Sequence, residues 1–194
     1  MTGLMLLAVL GAGDFAVVSE TDGIVLEARP VPGSAWLEYR VTTIVSGDAR
    51  ALCDRAFGTG AMDPGEPHLT ARTVLLEKPD ERVTWDEIAP PMVSHRDYVV
   101  RRTRVRAPGG ECRVDFHADA SLAPPPRPGW VRIEILHGAF VFTPLPGGKV
   151  RVEHTVHMEP GGLIAPFVAE PARREMAVAW VRRLAAPETP RARR

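Results

Sequence analysis

The sequence predicts an α+β fold in which a single curved antiparallel sheet is closed by one long C-terminal helix. Three observations carry this expectation. About ninety residues from Ala71 onward read as successive extended runs separated by Pro and Gly turns. Glycine and proline, 17 and 19 residues, cluster between apolar runs, which favours strands and turns over a helical bundle. The hydrophobic period becomes helical only after Gly161-Gly162. At 194 residues and 45% hydrophobic, the chain can bury one compact core and has no room for a second full domain. Its 24 basic and 24 acidic side chains cancel, so no global field draws it to nucleic acid or to an anionic surface.

The first fourteen residues read differently from the rest. Leu4 to Leu10 is an unbroken apolar run followed by Gly11, Ala12 and Gly13, the order of an apolar region and a small-residue cleavage site in a secretory signal. The run is too short to span a bilayer. No Lys or Arg precedes it, so a plain first strand or helix stays open beside export. The protein is expected to be exported or periplasmic if the run is a signal, and cytoplasmic otherwise. The expected organisation is residues 1–13 as that segment, 14–186 as the domain, and 187–194 as a disordered tail with three arginines.

Gly23 to Pro30 and Trp36 to Val45 form the first two strands, joined as a hairpin through Pro32-Gly33-Ser34. A short amphipathic helix follows, capped by Ser46 or Asp48, with Ala51, Leu52, Ala56 and Phe57 at helical spacing and Gly58 as its stop. Strands are then expected over Arg72–Glu77, Arg82–Ile88, Asp97–Arg106, Glu111–Ala118, Val131–Thr143 and Val150–Met158. The segment Ala123 to Gly129 is too rich in proline for a central strand and is a loop. Ala172, Met176, Ala179, Trp180 and Leu184 form the apolar stripe of the closing helix, with Pro171 as a kink or first-turn residue. Cys53 falls on the first helix and Cys112 on a strand. Nothing in the sequence pairs them, so they are read as two separate buried thiols.

A strongly bent sheet cannot fill its own concave face, so a helix laid across it encloses either a ligand cavity or a packed core. Resemblance favours the cavity. The segment DGIVLEARPVPGS (Asp22–Ser34) resembles the opening strand of START domains, the StAR-related lipid-transfer family. PPMVSHRDYVV (Pro90–Val100) resembles that family's proline-rich turn and Arg-Asp-aromatic strand. Val131 to Phe167 is similar to its late hairpin and to the Asp-Pro-Gly-Gly motif before the closing helix, with Glu159 in place of the aspartate. Order and spacing agree from Asp14 to Leu184. The resemblance implies a helix-grip fold, shared with polyketide cyclases, whose tunnel holds sterols, phospholipids or other apolar molecules.

Each polar candidate has a ligand-contact reading and a plain structural one. Six histidines invite a metal hypothesis, but His154 and His157 are three apart on a strand and face opposite ways, and no ligand-spacing motif is present, so no metal and no cofactor is expected. Arg96 and Asp97 also face opposite ways, so one of them projects to the covered face, where a charge needs a partner: a ligand head group, or an internal group such as Glu87, Arg132 or Glu134. His154 is the one polar member of an apolar face with Val150, Val152, Val156 and Met158, and either orients a ligand or is satisfied by a backbone carbonyl or water. Trp85, Tyr98, Phe140 and Phe142 supply aromatic lining if they point inward.

The candidate ligand-contacting residues are therefore Trp85, Arg96, Tyr98, Arg132, Glu134, Val152, His154 and Val156. The expected function is binding of a hydrophobic small molecule, a lipid or sterol-like compound, by a monomeric carrier, sensor or scavenger with transient membrane contact and no nucleic-acid partner. The alternative is a cyclase or aromatase whose acid–base groups in the same cavity would be His154, Arg96 and Glu134.

Overall fold

The structure is a computed structural model that describes residues 13–58 and 68–186. The apolar run Leu4–Leu10 and the tail 187–194 lie outside the described residues, as does most of the connection that follows the first helix.

The strands are β1 (Ala16–Thr21), β2 (Ile24–Arg29), β3 (Glu38–Ser46), β4 (Leu69–Lys78), β5 (Glu81–Ile88), β6 (Arg96–Arg106), β7 (Cys112–Ala118), β8 (Val131–Arg132), β9 (Ile135–Leu145) and β10 (Lys149–Glu159). The helices are α1 (Ala49–Gly58) and α2 (Pro166–Ala185). All strands but β8 lie in the order β1-β2-β3-β10-β9-β7-β6-β5-β4, every neighbour antiparallel. Strand β10 closes the arrangement by pairing with β3 from Lys149↔Ser46 to His157↔Glu38, which joins the two halves of the chain in one sheet. The expected fold class is the observed one.

Several local expectations needed correction. Strand β1 was not foreseen, because AVVSET lacks clean alternation and Val17 is exposed on the sheet's edge. It turns into β2 through Asp22 and Gly23, both with positive φ (53° and 72°), the conformation that a two-residue hairpin turn requires. The single strand expected over Val131–Thr143 is two. The short β8 runs parallel to the start of β6, the chain breaks at Ile133-Glu134, and β9 then pairs antiparallel with β7 and β10.

Helix α1 is capped as expected by Asp48, whose side chain accepts from the Ala51 amide at 2.8 Å. It buries Leu52, Cys53, Ala56 and Phe57 against β7 and β9. Cys53 and Cys112 are joined in a disulfide, which corrects the reading of two separate thiols. Sequence spacing carries no information on a contact made across this sheet.

Helix α2 starts at Pro166, earlier than the stripe implied, and carries Pro171 inside it. Its buried positions are Arg173, Ala177, Val181 and Leu184, so the stripe lies about one residue from the expected one. Ala172 and Met176 face outward more than expected, while Arg173 is inside because its guanidinium finds partners there. The packed core occupies the α1 end of the sheet, around Val41, Val114, Phe142, Val152 and Val181.

Candidate functional site

Period-2 alternation on β10 places Val150, Val152, His154, Val156 and Met158 on the face that α2 covers. At the α1 end this face is packed solid. Toward the other end, the sheet and α2 part to leave a cavity of about 100 Å³. Its apolar walls include Phe116, Leu136, Phe140, Val156, Met158 and Trp180. Tyr39, Tyr98, Arg102, His154 and Arg173 supply the polar atoms.

Most of those polar atoms are already committed. Glu170 on α2 accepts from the Tyr39 hydroxyl and from Arg173 Nη1 at 2.6 Å, and Arg173 Nη2 donates to the Leu37 carbonyl at 2.9 Å. This group fastens α2 to β3. Burial pushes the Arg173 guanidinium below its usual pKa and Glu170 pulls it back, as expected for a cation held in a dry site by one carboxylate. Arg102 donates to Thr84 Oγ1 at 3.0 Å. His154 is buried, with Nδ1 3.3 Å from the Ala139 carbonyl oxygen, and its ring stacks on Phe140 at 4.0 Å between centroids. Burial lowers its pKa to about 4, against a small opposing pull from that carbonyl.

Three of the expected contact residues, Tyr98, His154 and Val156, line this cavity. The others sit elsewhere. Val152 is fully buried in the packed core, one step too far toward α1. Trp85 pairs with Val99 and so projects from the opposite face of the sheet, where Arg127 lies 4.6 Å over its ring. Glu134 is exposed at the break between β8 and β9. The His154, Arg96 and Glu134 set that acid–base chemistry would use is not brought together.

Arg96 and Asp97 are both buried, where the sequence argument required only one to be covered. The start of β6 is covered on both sides. Asp97 receives a two-point ion pair from Arg132, Nη2 to Oδ2 at 2.6 Å and Nε to Oδ1 at 3.1 Å, and a hydrogen bond from Trp85 Nε1 at 2.9 Å. Burial raises the Asp97 pKa, but these donors outweigh it and hold the carboxyl below its usual value. Of the expected partners, Arg132 takes Asp97, whereas Glu87 is engaged by Arg127. Arg96 meets carbonyls instead of a carboxylate, donating to Pro160 at 3.1 Å and to Ser94 at 2.5 Å. It clamps the turn before α2 to the turn before β6 and lies outside the cavity wall.

The residues that sequence reasoning missed, Arg102, Phe116, Leu136 and Arg173 among them, had a partial signal. Arg102 shares the parity of Tyr98, and Leu136 that of Phe140. Nothing in a strand's alternation says where along it a cavity begins. Among the described residues no group of three His, Cys, Asp or Glu could hold a metal ion, and no helix is long and apolar enough to cross a membrane.

Comparison with known proteins bears on the same geometry. A STAR-related lipid transfer protein from Xanthomonas axonopodis is 25% identical and superposes with a TM-score of 0.78, over 88% of this chain and 96% of that one. The human StAR-related lipid transfer protein 5 shares the fold at 20% identity and a TM-score of 0.75, over 90% and 88% of the two chains. An uncharacterised protein of Pseudomonas aeruginosa is 27% identical over 163 residues, 81% of this chain and 78% of its own. The family model of the START domain matches residues 73–192, more than half of the sequence. With the ten-stranded sheet and the closing helix, that match places the chain in the START domain family.

Proposed function

We propose that this protein binds a small hydrophobic molecule between the sheet and α2, as a carrier, sensor or scavenger with no covalent step. The observation that carries the reading is the cavity itself, an apolar space in the position where the fold's concave face meets its closing helix. At about 100 Å³ it is smaller than an engineered cavity of roughly 150 Å³ that takes a benzene ring, and well below the roughly 300–1,000 Å³ of drug-sized sites. A lipid-sized guest therefore requires the space to widen. The movable wall is α2. Pro171 removes one of its backbone donors, and its first turn exposes Phe167 and Val168 beside Leu163.

Affinity for such a guest comes mainly from removing apolar area from water, at roughly 25 cal/mol per Å², and so depends weakly on salt. The test uses N-phenyl-1-naphthylamine, an uncharged fluorescent apolar probe. The parent protein should bind it at low and at high salt, and Val156→Trp should abolish binding by filling the cavity. A folded Val156→Trp protein that binds as the parent does would move the site elsewhere.

We further infer export. The disulfide between Cys53 and Cys112 suits an oxidising compartment, in agreement with a signal reading of Leu4–Leu10. N-terminal sequencing of the protein from its native host should begin near residue 14, and an intact Met1 would refute the inference.

A further inference from the structure

His154 is tied at one ring nitrogen and bare at the other. A carbonyl oxygen only accepts, so the 3.3 Å contact between Nδ1 and Ala139 is a hydrogen bond only when Nδ1 carries the proton. The site does not suit the doubly protonated ring. His154 is 3% exposed, lies parallel to Phe140 within 7°, and has Phe116 5.9 Å away. Burial accordingly depresses its pKa to about 4, which leaves the imidazole neutral at pH 7. With the proton on Nδ1, a lone pair sits on Nε2.

Nε2 is the ring nitrogen remote from Cβ. With Nδ1 held to the backbone of β9, Nε2 stands off the sheet at the end of a side chain that lines the cavity. No described protein group donates to it. The other polar side chains of the wall all have protein partners: Tyr39 and Arg173 on Glu170, Arg102 on Thr84, and Tyr98 as well. Both arginines are donors only. The wall thus offers, at His154 Nε2, an acceptor to which no described protein group donates, in an apolar surround.

We propose that His154 Nε2 accepts a hydrogen bond from the ligand, and that the ligand class is an apolar alcohol or phenol, with its hydroxyl directed at β10. This rests on the cavity being the binding site, as argued above. An ether, ester or carboxylate oxygen at the same point would set lone pair against lone pair and be rejected.

The test compares 2-naphthol with 2-methoxynaphthalene, the same ring system with and without the donor, titrated against the full chain by Trp fluorescence. Apolar transfer alone favours the ether, so a preference for the naphthol runs against the hydrophobic trend and needs a specific acceptor. The expected preference is about tenfold, and His154→Phe, which keeps the ring on Phe140, should remove or reverse it. In the ¹⁵N spectrum of the imidazole, the Nε2 resonance should move on adding 2-naphthol and stay put with the ether. This readout on the parent protein decides the matter even if the Phe variant fails to fold.

Equal binding of both compounds, or an Nε2-protonated ring, would overturn the acceptor role and leave the cavity reading intact. If neither compound binds and N-phenyl-1-naphthylamine does not bind either, the cavity reading falls and this inference with it.

Discussion

Cys53 and Cys112, 59 residues apart in sequence and separated by β4, β5 and β6, meet in a disulfide that ties α1 to β7. Closing a loop of that length removes freedom from the unfolded chain worth about 4 kcal/mol in the chain-entropy model. The double variant Cys53→Ser, Cys112→Ser should lower the urea-unfolding free energy by that order. Without reductant, intact mass measurement should find the parent two hydrogens lighter than the reduced chain.

His154 gives stability a specific pH dependence. Its folded pKa lies near 4 and its ordinary value is 6.5, so between these limits the unfolded chain binds a proton that the folded chain refuses. Stability from this residue is complete above pH 6.5 and is lost as pH falls toward 4, by up to about 3 kcal/mol. The stability of the parent relative to His154→Phe should be constant above pH 6.5 and fall by up to about 3 kcal/mol as the pH is lowered toward 4. Parallel curves would place the ring in a wetter site.

Gly138 has no room for a side chain. A Cβ there would sit 2.0 Å from the Thr155 carbonyl oxygen and 2.5 Å from the Phe116 ring. Both neighbours are constrained, one as backbone of β10 and the other as a cavity wall. Gly138→Ala should cost on the order of 2 kcal/mol or more by overpacking, measured by thermal unfolding, and should alter probe binding because Phe116 must move.

Glu170 fastens α2 through Tyr39 and Arg173, so Glu170→Gln leaves a buried cation short of its carboxylate. Breaking a pair of this kind costs about 3 kcal/mol. Hydrogen exchange should accelerate across Pro166–Ala185 while the amides of β9 and β10 keep their protection. Probe association should quicken if α2 is the wall that moves.

Leu163 and Phe167 are almost wholly exposed, at 107% and 81%, beside the half-exposed Val168. Should this patch meet a membrane, the parent would sediment with neutral phosphatidylcholine vesicles, and Leu163→Asp with Phe167→Asp would reduce this at least severalfold with the fold intact. Unchanged sedimentation would assign the patch no part in it.

The hairpin of β2 and β3, the strands from β4 to β7, the capped α1 and the closing helix were all legible, because turn residues and hydrophobic period are local signals. So were Tyr98, His154 and Val156, whose parity puts them on the covered face. The errors have a common origin in what parity omits. Alternation cannot say which end of a face is packed and which is hollow, so Val152 was placed with His154 in the wall although it lies in the core. It also cannot assign a face to a strand by itself, and Trp85 was put on the wrong one. Glu134 was misplaced because a strand break at Ile133 carries no glycine or proline to announce it.

Arg96 and Asp97 give one dipeptide two duties on opposite sides of β6. The first is bolted to the Pro160 turn, and the second, through Arg132, to the Pro124 carbonyl of the proline-rich loop. Both connections at this end of the sheet are therefore rivets on a single frame, and neither can swing without unburying a charge. Whatever breathing the molecule does to admit a guest is left to α2, whose fastening to β3 runs through the single Glu170–Arg173–Tyr39 group. The doorway has a jamb on one side and a hinge on the other.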